Sequence, residues 1–98
     1  MARIEETRTY PGKTPGDCFA AAVRGYPKAG FHVWKKRELA WLALAKCTVE
    51  GHEVDSNLSA RPGNPTPATL NLSAEGLSEE ILKGLAEKVF EALEEELR

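Results

Sequence analysis

Histidine and cysteine are scarce in this chain, with two of each in 98 residues. His32, His52, Cys18 and Cys47 show none of the short spacings, His-x3-His or Cys-x2-Cys, that hold a metal. Two cysteines without an export signal do not make a disulfide framework, so both read as free, buried thiols. Long apolar runs are also missing. The longest, Leu39 to Ala45, falls far short of the roughly 20 residues that span a bilayer. The start, Met1-Ala2-Arg3-Ile4-Glu5-Glu6, is charged and lacks the apolar centre of a signal peptide. The expectation is a cytoplasmic protein with no membrane segment.

Charge of one sign is lacking as well. Thirteen Lys and Arg stand against 15 Asp and Glu, a net charge of −2, which gives no bulk attraction to a polyanion. A phosphate-cradling loop is missing too. Gly12-Lys13-Thr14 precedes a helix as the tail of a P-loop does, but Arg8, Thr9 and Tyr10 stand where its upstream glycine belongs. A turn and a helix cap account for those residues. No repeat, low-complexity tract or linker divides the chain, so residues 1–98 form one domain.

What is present is an ordinary globular balance, 42% apolar and 29% charged. Arg3 to Tyr10 alternates, with Ile4, Glu6, Arg8 and Tyr10 on one side of a strand that Pro11-Gly12 ends. Thr14 can cap a helix that opens with Pro15 and Asp17. Cys18, Phe19, Ala22, Val23 and Tyr26 recur at helical spacing, and Gly25 and Pro27 are expected to stop it. Phe31 to Lys36 reads as a second strand. Leu39 to Glu50 has helical propensity in its first half, but its alternation and the Gly51-His52 turn favour a strand. Val54 to Ala60 continues the hairpin, Arg61 to Pro67 is a stiff loop, and Ala68 to Ala74 alternates again. The last element is the clearest. Ser78 caps it, Leu77 and Leu82 are placed as a staple, and Ile81, Leu85, Val89, Leu93 and Leu97 form one row beside Leu82, Ala86 and Phe90.

The fold class is therefore α+β, in the order β-α-β-β-β-β-α. An antiparallel sheet is covered on one face by a short N-terminal helix and a long C-terminal helix. The expected core joins Phe19, Val23, Trp41, Cys47, Val49, Leu58, Leu70, Leu72, Ile81, Leu85, Val89 and Leu93. In element order over its whole length the chain resembles a minimal helix-grip domain, the START/SRPBCC-like architecture of lipid and hormone binders. It is also similar to one half of a TATA-binding-protein-like fold. The first resemblance implies a small apolar ligand held between the C-terminal helix and the sheet. Ala43, Ala45, Cys47 and Ala60 are the small inward residues that would leave room for it.

Few residues invite chemistry. Cys47 and His52 flank a tight turn but lack a sequence that would build an oxyanion hole. Lys35-Lys36-Arg37 after Trp34 is the single basic and aromatic cluster, and it coincides with a hairpin turn rather than a nucleic-acid motif. Glu94-Glu95-Glu96 places like charge at the negative end of a helix, where fraying is expected. No catalytic residue, cofactor or metal ligand emerges. If Trp41, Ala43, Ala45, Cys47 and Val49 face the helix, then Leu42 and Leu44 face out, beside Trp34. An apolar spot on a polar sheet face points to a non-catalytic interaction module, with a homodimer as the expected assembly.

Overall fold

The computed structural model describes residues 1–98. Its elements are β1 (Ala2–Tyr10), α1 (Pro15–Lys28), β2 (His32–Arg37), β3 (Leu42–Val49), β4 (His52–Ala60), β5 (Thr66–Ala74) and α2 (Glu79–Leu97). The strands form one antiparallel sheet in the order β1-β5-β4-β3-β2, the expected α+β arrangement. β1 and β2 are its two edges. Both helices lie on one face, α1 against β2 to β5 and α2 against β1 and β5, and they pack on each other. No helix is long and apolar enough to cross a membrane.

Local chemistry explains the helix starts. The Thr14 side chain accepts from the Asp17 N–H at 3.0 Å, and the Asp17 carboxylate accepts from the Thr14 N–H at 2.9 Å. Ser78 accepts from the Ile81 N–H in the same way. The end of α1 departs from expectation. The helix runs past Gly25 and Pro27 to Lys28, and the Ala29 N–H closes it on the Gly25 and Tyr26 carbonyls. Gly25 is there for α2. A Cβ on it would lie 3.0 Å from the Leu93 nitrogen and 3.1 Å from the Ala92 carbonyl carbon. A bare Cα lets two helix backbones approach that closely.

The start of β3 also differs. Residues Glu38–Ala40 form a short 3-10 turn, and Trp41 follows with φ 49°, so the strand begins at Leu42 rather than Leu39. Trp41 still packs against the core, from beside the strand rather than within it.

The core is centred one helix row away from the expected one. Leu58, Leu70, Leu72, Val89 and Leu93 are fully buried, as read from the sequence. Cys18, Tyr26, Val54, Leu82, Ala86 and Phe90 join them, while Phe19, Val23, Ile81 and Leu85 sit at the margin. The α2 stripe is thus Leu82, Ala86, Val89, Phe90 and Leu93, because α1 covers one side of the helix and β1 and β5 the other. Tyr26 carries the one polar interior contact made by a large side chain. Its hydroxyl is 2.8 Å from that of the buried Ser56, and its ring tilts against Phe31. Burial pushes the Tyr26 phenol pKa well up, although the Ser56 bond pulls the other way.

Candidate functional site

Strand pleat and register fix what the uncovered sheet face displays. Successive rows read Thr7, Thr69, Ser59, Leu42, Arg37; then Glu5, Asn71, Asn57, Leu44, Lys35; then Arg3, Ser73, Asp55, Lys46, His32. The β1, β5 and β4 portion is polar and self-satisfied. Thr7 and Thr69 share a 2.9 Å hydroxyl bond, and Asn71 donates to Asn57 at 3.2 Å. The β3 and β2 portion has a different character. Leu42 and Leu44 lie on this face, half-buried, while Ala43 and Ala45, which alternate with them, point into the core.

A register shift between Val33 and Lys35 makes Trp34 the extra residue of a β-bulge. The bulge sets its ring on the outer side, where Lys46 Nζ lies 5.2 Å from the ring centroid. Lys46 also reaches Glu53 at 3.6 Å and Asp55 at 3.8 Å. The face therefore brings together Trp34, Leu42 and Leu44, framed by Lys35, Arg37 and Lys46. Trp34 is 49% exposed, and Leu39 on the adjoining turn is 99% exposed. Leu39 was within the strand by sequence. The 3-10 turn that lifts it into solvent has no local motif to announce it.

The small inward residues are placed otherwise. Ala43, Ala45 and Ala60 are sealed in the core, where their size lets α1 sit close to β3 and β4. Cys47 alone of the four reaches open space. It lines an open cleft of about 620 Å³ with Val23, Pro27, Phe31 and Val33, bordered by His32, Lys46, Thr48 and Glu53. The cleft exists because β3 runs on past His32, the first residue of β2.

Cys47 and His52 open onto different clefts, and the His52 ring packs on Gly76. Burial raises the pKa of both free thiols, the reverse of what an activated nucleophile needs. No group of three His, Cys, Asp or Glu side chains is placed to hold a metal.

One polar network escaped the sequence reading. Arg8, on the inward row of β1, bonds Glu6 at 2.8 Å, Glu87 at 2.7 Å and Glu94 at 3.1 Å, and stacks 4.2 Å above the Phe90 ring. Tyr10 donates to the same Glu94 carboxylate at 2.8 Å. Burial works against the Arg8 charge, but the three carboxylates outweigh it and raise its pKa. Burial and then the Glu94 bond push the Tyr10 phenol upward. The available signal was a charged residue alternating with Ile4 and Tyr10 on a helix-facing row. Held by these bonds, the network ties β1 to α2.

No family model matches the chain, and no curated protein matches it. Among solved structures it is similar to the crystal structure of Ara h 8.0201, with a TM-score of 0.62 at 15% identity. That likeness extends over 98% of this chain and 97% of the other. It is a likeness of fold, and the fold is helix-grip-like.

Proposed function

We propose that this chain is a non-catalytic self-assembly module that pairs with a second copy through the outer sheet face around β3. The observation that carries the reading is the local change of that face, from hydroxyl and amide ladders to Leu42, Leu44 and Trp34. A confined apolar patch within a polar rim gains most by being covered.

Charge selects how two copies meet. A two-fold axis across the strands would lay β2 on β2, with Lys35 against itself. An axis parallel to the strands over β3 stacks Leu42 on Leu42 and Leu44 on Leu44. It sets β2 across from β4 row by row, Arg37 facing Ser59 and Lys35 facing Asn57, so the two basic β2 runs do not meet. Sheets packed this way stay within about 30° of alignment.

The double substitution Leu42→Glu and Leu44→Glu tests the reading. The expected product is a folded monomer with an unchanged circular dichroism spectrum. A variant that still dimerises would refute the interface, and an unfolded one would show that the leucines serve the fold.

A second reading is favoured by the open cleft beside Cys47, whose inner wall is Val23, Phe31 and Val33. A small apolar ligand held there agrees with the helix-grip resemblance, although it would sit at the end of α1 and not under α2. Native mass spectra of freshly purified protein test it. A retained mass would support the reading, and its absence from protein prepared without organic solvent would count against it.

A further inference from the structure

The observations on β2 reach further than the face it belongs to, and we infer that its open edge receives an acidic, extended segment of another protein by strand addition. β2 ends the sheet, so the N–H and C=O groups on its outer side have no strand to pair with. From Trp34 to Ala40 every residue is exposed. Three consecutive cations occupy that stretch. The register sends Lys35 and Arg37 to the outer sheet face and Lys36 to the helix-bearing face. An added strand would therefore meet positive charge on both of its sides.

These charges are uncommitted. The basic groups that make ion pairs within the fold are Arg8, Arg24, Lys28 and Lys46. Lys35, Lys36 and Arg37 are left without a carboxylate. A second copy cannot supply one along this edge, since antiparallel pairing of β2 with itself sets the basic run against the same run. That repulsion protects the edge from self-aggregation, and an acidic strand reverses its sign. Leu39, beyond the last paired residue, offers an apolar contact to the end of such a segment. The edge adjoins the face around β3 and shares Lys35 and Arg37 with it, but strand addition uses the outer backbone groups of β2, and the inference does not rest on dimerisation.

The probe is a blocked synthetic octapeptide alternating glutamate and valine, titrated into the isotope-labelled protein and followed by amide NMR. A lysine-valine octapeptide and an oligothymidylate of similar charge serve as comparisons. The expected result is shifts confined to residues 33–39 and slowed exchange of alternate β2 amides, with no response to the basic peptide. Charge reversal at Lys35, Lys36 and Arg37 to Glu should weaken the acidic peptide about tenfold and admit the basic one. Replacing the three by Gln should give a smaller loss without the gain. Shifts without slowed β2 exchange would overturn strand addition. Tighter binding of the oligothymidylate, or unchanged affinity after charge reversal, would overturn the acidic-peptide assignment.

Discussion

Leu82 and Leu85 sit three residues apart on α2 and look equivalent in sequence, yet Leu82 is fully buried and Leu85 is half-buried at the margin of the core. Truncating Leu82 to Ala should cost about 2–5 kcal/mol, within the range for a sealed site that cannot fully collapse. Leu85→Ala should cost about half as much, since solvent already touches it. Urea denaturation of the two variants gives the comparison, and equal losses would contradict the core as described. The apolar row was legible from period alone, because Val89 and Leu93 lie on any version of it. Which neighbours complete it depends on where α1 crosses, and no residue of α2 records that. The thiols follow the same logic. Cys18 should react with a thiol reagent only as fast as the protein unfolds, and Cys47, in its open cleft, slowly but detectably in the native state. Immediate labelling of Cys18 would contradict its burial.

Among the elements, the contact between α1 and α2 is the one whose signals were ambiguous. Gly25 reads as a helix stop because glycine is a poor helix former. Its role is long-range, a backbone approach to Ala92 and Leu93. Gly25→Ala should therefore destabilise by about 1–3 kcal/mol, as overpacking does, instead of gaining the helix propensity of alanine. An increase in melting temperature would contradict the close approach. The acidic end of α2 was expected to fray, yet it is held. Arg24 bonds the Glu96 carboxylate at 2.8 Å, Lys28 reaches the same group, and Arg8 and Tyr10 hold Glu94. A run of like charge tells nothing of the cations that a neighbouring helix brings to it.

These bonds set a pH dependence. The Lys28 and Arg24 bonds hold the Glu96 carboxyl below its ordinary value of 4.5, and the Thr14 bonds hold Asp17 below 3.8. A depressed folded pKa means that this stability is present above the unfolded value and is lost as pH falls through the folded one. Stability should decline as the solution is acidified below pH 4.5, and Glu96→Gln should flatten that decline. A variant whose acid limb matches the wild type would remove Glu96 from the account.

For the molecule as a whole, strand and helix periods were enough to set the chain order of five strands and two helices, but not the order of the strands in the sheet. Alternation survives even in strands that carry Arg8 or Asp55, and α2 has both a cap and a stripe. What alternation cannot tell is how tightly the layers close. Ala43, Ala45 and Ala60 suit a ligand groove and a close helix equally well in sequence, and in the fold they are buried. Leu42 and Leu44 lie on the outer face because the burial of Ala43 and Ala45 fixes the pleat. Their use is the central claim. Sedimentation equilibrium of the wild-type chain, from low micromolar to near-millimolar concentration, tests it most directly. The account predicts a reversible rise from the 10.7 kDa monomer to twice that mass, with no larger species. A mass that stays at the monomer value across the range would contradict it.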